Sequence, residues 1–177
     1  MTKPYNNYKD KLSKIKTFIF DIDGVLTDGT VIVSENGEQY RTMNVKDGYA
    51  LQLAIKKGFR IIIISGGYSE AIIKRFEYLG VKEVFLGVEN KHELFLELLD
   101  KGSLNQEEVL YMGDDIPDYK IMKDVFLPSC PRDAVKEIKA ISEYVSPLNG
   151  GYGCVRDIIE QVLMSQKIWF DDEAFKW

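Results

Sequence analysis

The chain has 177 residues, enough for one domain with a sizeable core. Hydrophobic residues make up 45% and charged residues 29%, and the net charge of −5 offers no basic face to nucleic acid. The strongly apolar runs, such as residues 61–64, are far too short to span a bilayer, and residues 1–10 are polar and lack the apolar stretch of a secretory signal. The expectation is a cytoplasmic protein with neither a membrane nor a nucleic-acid partner. Cys130 and Cys154 are far apart and form no CxxC, which argues against a structural zinc site and for small core fillers in a reducing compartment. The single histidine, His92, excludes a histidine-rich metal site and reads as a surface helix residue.

Residues 17–20 form a short apolar run suited to a buried strand, ending in a carboxylate-rich turn. Residues 30–34 and 39–45 flank Glu35-Asn36-Gly37-Glu38. An Asn-Gly pair between β-favouring segments predicts a hairpin, because both central turn positions favour positive φ. Asp47 is placed to cap a helix that runs to about Lys57 and stops at Gly58. Residues 60–64 read as a central parallel strand. Ser69 opens a second helix, with Ile72, Ile73, Phe76 and Leu79 on its apolar face and Gly80 at its end.

The alternation continues with a strand at 84–86, a helix at 91–100 and a strand at 109–112. A short strand at 125–127, a helix at 132–140 and a last strand at 144–145 follow. The glycine-rich segment 149–153 leads into a final helix from Val155 to about Gln166. Strands and helices at this spacing predict an α/β fold with a mostly parallel central sheet and helices on both faces. No linker divides the chain, so residues 1–177 read as one domain. The hairpin at about 30–45 is an insertion after the first strand, a lid or an assembly element. The tail, about 167–177, carries Trp169, Phe170, Phe175 and Trp177; it is either a docking segment for a partner subunit or a loose end.

Ligands of open parallel sheets sit beyond the carboxyl ends of the strands. Here those ends carry Asp21-Ile22-Asp23-Gly24, Ser65-Gly66, Lys91 and Gly113-Asp114-Asp115, with Asp118 just beyond. Several carboxylates in one place need a compensating cation, and oxygen ligands suit a hard divalent ion such as Mg²⁺. Lys91 and the Ser65 hydroxyl supply charge and a donor for the equatorial oxygens of a phosphoryl group. Asp21 and Asp23 share a face of extended chain, so one can attack phosphorus and the other can move the leaving-group proton.

The segment Asp21-Ile22-Asp23-Gly24-Val25-Leu26-Thr27-Asp28-Gly29 resembles the first motif of the haloacid dehalogenase superfamily of phosphatases. Ile64-Ser65-Gly66 is similar to its second motif, Lys91 to its third, and Gly113-Asp114-Asp115-Ile116-Pro117-Asp118 to its fourth, all in the expected order. Asn44-Val45-Lys46-Asp47-Gly48-Tyr49 and Gly150-Gly151-Tyr152-Gly153-Cys154-Val155-Arg156-Asp157 further resemble stretches of the 3-deoxy-D-manno-octulosonate 8-phosphate phosphatases. The resemblance implies a Rossmann-like fold without a large cap domain, a homotetramer, and a lipopolysaccharide sugar acid phosphate as substrate. It implies Asp21 as nucleophile and Asp23 as acid and base. Asp21, the Asp23 main-chain carbonyl and Asp114 would be the Mg²⁺ ligands. Ser65, Gly66 and Lys91 would hold the phosphoryl group, with Asp115 and Asp118 as supporting carboxylates. Arg75 and Arg156 are candidates for the substrate carboxylate, within the chain or across a subunit boundary.

Many octulosonate phosphatases have an arginine after the second-motif glycine, whereas this chain has Gly67. The related nonulosonate 9-phosphate phosphatases tend to carry a glutamate there and a lysine further along, where this chain has Tyr78. A nonulosonate 9-phosphate is therefore the alternative substrate. In another class, a phospho-aspartate receiver or an idle assembly subunit is the competing reading. A receiver has its acidic pair at the first strand and its phospho-acceptor later, the reverse of the order here. No GxGxxG follows any strand, which argues against dinucleotide binding.

Overall fold

The structure, a computed structural model, describes residues 7–176. The beginning of the polar N-terminal stretch and Trp177 lie outside the described residues.

Strand β1 (Thr17–Phe20) is buried along its whole length. It pairs in parallel with β4 (Arg60–Ile64) on one side and β6 (Val109–Met112) on the other. With β5 (Glu83–Phe85), β7 (Leu127–Cys130) and β8 (Tyr144–Val145) they form a six-stranded sheet in the order β5-β4-β1-β6-β7-β8, with every pairing parallel. Such a sheet needs apolar cover on both faces, which explains the unbroken Arg60–Ile64 run.

The cover follows the period of two along each central strand. Phe18, Phe20, Ile61, Ile63, Leu110 and Met112 face one core, built with α1 (Tyr8–Leu12), α2 (Val45–Lys56), α3 (Glu70–Tyr78) and α7 (Cys154–Ser165). Ile19, Ile62, Ile64, Val109 and Tyr111 face the other, closed by α4 (Lys91–Asp100), α5 (Tyr119–Asp124) and α6 (Lys136–Ile141). Burying one such side chain stabilises the fold by about 1.5–3 kcal/mol. Cys130 and Cys154 are free and buried, each in one of these cores, as expected of core fillers.

Several details differ from the sequence-based expectation. The strand expected at 125–127 lies at Leu127–Cys130 instead. Pro128, which reads as a strand breaker, is inside it and opposite Tyr111. Two helices were not anticipated, α1 and α5, with five and six residues each. The hairpin strands β2 (Ile32–Val33) and β3 (Gln39–Tyr40) contain two exposed residues each and stand apart from the main sheet. Asn44, not Asp47, caps α2, its side chain accepting the Lys46 N–H at 2.8 Å. The Asp47 carboxylate serves another helix: it accepts the Arg156 N–H at 2.7 Å in the first turn of α7. Burial pushes its carboxyl up to about 6, against the opposing pull of the Arg156 and Gly153 N–H groups.

The described part of the tail docks on its own chain. Trp169 is buried and meets Tyr49 edge-on, with ring centroids 6.5 Å apart. The Tyr49 hydroxyl donates to the Ala174 carbonyl at 2.5 Å, and Lys57 pairs with Asp171 and Glu173. Phe170 and Phe175 stack edge-on against each other and remain exposed. His92, at the surface, pairs with Asp124 at 2.6 Å.

Candidate active site

The sheet order reverses direction at β1, because the chain adds β4 and β5 on one side and β6 to β8 on the other. A crevice at the carboxyl ends of β1, β4 and β6 follows from that topology. An open cleft of about 510 Å³ lies there, lined by Asp21, Asp23, Ser65, Lys91, Asp114 and Asp118 among others. Four segments widely separated in sequence thus deliver acids, a hydroxyl and a lysine to one place. Gly66 and Asp115 also line the cleft.

The inner wall is buried and tightly wired. Asp21, at the end of β1, is 7% exposed. Its Oδ2 lies 2.8 Å from the Lys91 ammonium, and its Oδ1 accepts the Ile22 N–H at 2.7 Å. Lys91 begins α4, whose N-cap is Asn90, and its ammonium also donates to Asp118 Oδ1 at 2.7 Å. The Tyr111 hydroxyl donates to the same oxygen at 2.6 Å. Asp118 Oδ2 accepts the N–H groups of Asp114 at 3.0 Å and Asp115 at 3.4 Å. With four donors upon it, Asp118 orients Lys91 and the Gly113-Asp114-Asp115 turn. The Asp115 carboxylate turns away and caps the following 3₁₀ turn, accepting the Ile116 N–H at 2.7 Å.

Carboxylate oxygens of Asp21, Asp114 and Asp118 lie within 4.8 Å of one another. Burial, and then the Asp118 charge, push Asp21 up to about 7 against the pull of Lys91. Burial, and then the charges of Asp21, Asp118 and Asp115, push Asp114 up to about 8. Asp114 Oδ1 is buried without a hydrogen-bond partner. An orphaned buried carboxylate oxygen is costly, and a hard divalent cation would satisfy it. The loop leaving β1 packs directly on this group. A Cβ on Gly24, whose φ is +83°, would stand 2.0 Å from Asp114 Oδ2, so only glycine fits there. Gly150 packs as closely on the outside of the same loop, where a Cβ would stand 1.9 Å from the Gly24 carbonyl oxygen.

The outer wall is looser. The side chain of Asp23 is 37% exposed and pairs with Arg41, Nε to Oδ1 at 2.7 Å and Nη2 to Oδ2 at 3.2 Å. Thr27 Oγ1 reaches Asp23 Oδ1 at a longer 3.4 Å. Ser65, at the end of β4, is buried and accepts the Gly67 N–H at 3.2 Å. Arg75 and Arg156 are not among the cleft residues. Arg75 lines a neighbouring cavity. Arg156 lies 5.6 Å over the Tyr49 ring and 5.3 Å over the Trp169 ring, with Glu160 at 3.5 Å.

Sequence reasoning missed Tyr111 and Arg41. A tyrosine inside a fully buried strand must find a partner for its hydroxyl, and that signal was readable. Nothing in the sequence marks Arg41, whose approach to Asp23 depends on how the hairpin folds back.

A parallel α/β sheet whose first strand ends in an aspartate pair, beside a hydroxyl, a lysine and a late acidic turn, defines a hydrolase of the haloacid dehalogenase class. No protein-family model matches the chain. The 3-deoxy-D-manno-octulosonate 8-phosphate phosphatase KdsC of Escherichia coli K12 is 34% identical over 156 residues, covering 88% of this chain and 83% of that protein. The Yersinia pestis KdsC is 31% identical over the same share. The Y. pestis crystal structure superposes with a TM-score of 0.88 at 29% identity, covering 92% of this chain and 88% of that one. The Moraxella catarrhalis phosphatase, solved with magnesium, phosphate and KDO, gives 0.85 at 29% identity, covering 89% and 90%. The chain belongs to the 3-deoxy-D-manno-octulosonate 8-phosphate phosphatase family.

Proposed function

We propose that the chain, acting as one domain, is a Mg²⁺-dependent phosphatase that releases phosphate from 3-deoxy-D-manno-octulosonate 8-phosphate through a phospho-aspartate at Asp21. The observation that carries this reading is the meeting of Asp21, Ser65, Lys91 and Asp114 in one cleft. The orphaned oxygen of Asp114 supports it. Asp21, Asp114 and the main-chain carbonyl of Asp23 would hold Mg²⁺, which when bound offsets the charge of the carboxylates and the phosphoryl group.

The residues then divide the work. Ser65, the Gly66 turn and Lys91 hold the phosphoryl oxygens. Asp21 Oδ attacks phosphorus as the bond to the leaving oxygen breaks, and Asp23 gives that oxygen a proton. Asp23 next takes a proton from water as the water oxygen attacks the aspartyl phosphate. Inorganic phosphate leaves and Asp21 is regenerated. Asp118, held by Tyr111, keeps Lys91 aimed at the nucleophile. Asp115 supports the turn that carries Asp114. Arg75 and Arg156 remain candidates for the substrate carboxylate, Arg156 from a neighbouring subunit's side of the site.

The hairpin supports a homotetramer. Val31, Ile32, Val33 and Tyr40 are exposed, and none of the other described residues buries this apolar edge. Among the described residues no helix is long and apolar enough to cross a membrane, which agrees with a cytoplasmic enzyme.

Phosphate release should require Mg²⁺ and cease in excess chelator. Among sugar phosphates, the eight-carbon acid should have the highest kcat/KM. A clear preference for a nonulosonate 9-phosphate, which the glycine at position 67 leaves open, would replace the substrate and keep the chemistry.

A further inference from the structure

The segment 149–153 adds nothing to the lining of the phosphate cleft, yet it presses on the loop that leaves β1. A Cβ on Gly151 would stand 2.5 Å from the Asp28 nitrogen and 2.6 Å from the Thr27 carbonyl carbon, so the two backbones touch there as they do at Gly150 and Gly24. Two donors converge on the Val25 carbonyl of that loop, the Gly151 N–H at 2.9 Å and Cys154 Sγ at 3.2 Å. Asp114 occupies the opposite side, in the space that Gly24 leaves open. The peptide between Asp23 and Gly24 is thus confined by a carboxylate within the cleft and by backbone outside it.

The outer backbone is held in turn by α2. Helix α7 has Gly153 as its N-cap, a residue with no side chain to accept from the first turn. Those N–H groups need an acceptor from elsewhere. Asp47, 1% exposed, supplies it from the first turn of α2. Its Oδ1 accepts the Arg156 N–H at 2.7 Å, and the Gly153 N–H draws on the same carboxylate. Its negative charge also suits the positive end of the α7 dipole. Asn44, one turn earlier, donates its amide to the Gly151 carbonyl at 3.3 Å. Asp133 completes the hold, its Oδ1 accepting the Gly150 N–H at 2.9 Å.

We propose that Asp47 is a positioning residue for the metal site: by capping α7 it fixes the 150–154 backstop, and the backstop fixes the Asp23 main-chain carbonyl relative to Asp21 and Asp114. The proposal rests on the reading of those three groups as the Mg²⁺ ligands. A carboxylate can turn toward an ion by rotating its side chain, whereas a main-chain carbonyl goes only where its loop goes. The carbonyl is therefore the ligand that a brace outside the cleft controls, and groups that orient ligands from behind set metal affinity.

Titration calorimetry with Mg²⁺ alone tests this without turnover, on full-length protein at a temperature where circular dichroism shows each variant folded. Asp47→Ala should raise the Mg²⁺ Kd by roughly tenfold, and Asp47→Asn, which keeps an oxygen for the Arg156 N–H, should stay within about threefold of the parent. Asn44→Ser covers the case in which Asp47→Ala does not fold. It keeps a capping oxygen for α2 and removes the amide from Gly151, and it should raise Kd by about threefold. In kinetics the Mg²⁺ concentration for half-maximal rate should rise with Kd, while the substrate KM at saturating Mg²⁺ should hold at the parent value. A lower melting temperature with Kd within about twofold of the parent, in Asp47→Ala or, failing that, in Asn44→Ser, would overturn the proposal and leave Asp47 as a stabiliser of α7 alone. Mg²⁺ affinity unchanged by Asp114→Asn would instead overturn the ligand set itself, and the brace with it.

Discussion

Asp21 and Asp23 stand two residues apart in opposite surroundings. Asp21 is on the inner wall, 7% exposed, its partner Lys91 fixed by Asp118 and Tyr111. Asp23 is on the outer wall, its side chain 37% exposed, its partner Arg41 arriving from a two-residue strand that the core does not hold. The inner wall is built from the ends of β1, β6 and α4, so the sheet itself dictates where its charges meet. The outer wall is built from the hairpin exit, where few contacts constrain it. The proposed nucleophile thus sits on the wall that the sheet fixes, and the proposed acid and base on the wall that the hairpin exit completes.

Lys91→Met should have the largest effect, because it leaves Asp21 and Asp118 buried without their cation. Removing one partner of a buried ion pair costs about 3–5 kcal/mol, and losing a donor to the reacting phosphoryl group lowers kcat by roughly 10²–10³. Urea denaturation and steady-state kinetics would measure both. A variant as stable as the parent would mean that the inner wall is not wired as described.

Tyr111→Phe should be milder. It removes one donor from Asp118 and leaves Lys91 in place, so stability should fall by about 1.5–3 kcal/mol while kcat changes by less than about tenfold. A kinetic loss as large as that of Lys91→Met would make the hydroxyl part of the reacting group and blur the division of roles. Arg41→Met should change stability least, by less than about 1 kcal/mol, since its partner is more than a third exposed. A loss above that by the same denaturation measurement would place the outer wall with the core.

The same contrast explains what was legible in the sequence. The boundaries of β1, β4, β6 and α4 were readable, because uninterrupted apolar runs mark the strands and apolar residues at helical spacing mark the helix. The cleft acids followed from those strand ends and the parallel topology. Features that depend on distant partners were not readable. Asp47 looks like the cap of its own helix, yet its carboxylate belongs to α7, more than a hundred residues away. The tail aromatics left two roles open, and Trp169 is buried against α2, where Tyr49 and Lys57 contact the segment. Short helices such as α5 fall below the length at which periodicity gives a signal.

Chemical trapping of the intermediate tests the central claim most directly. Protein mixed with substrate and Mg²⁺ would be quenched in acid within milliseconds, reduced with borohydride, and mapped by mass spectrometry. An aspartyl phosphate at position 21 predicts conversion of that residue to homoserine. Reduction at another carboxylate, or rapid turnover with no reducible acyl phosphate at all, would contradict the account.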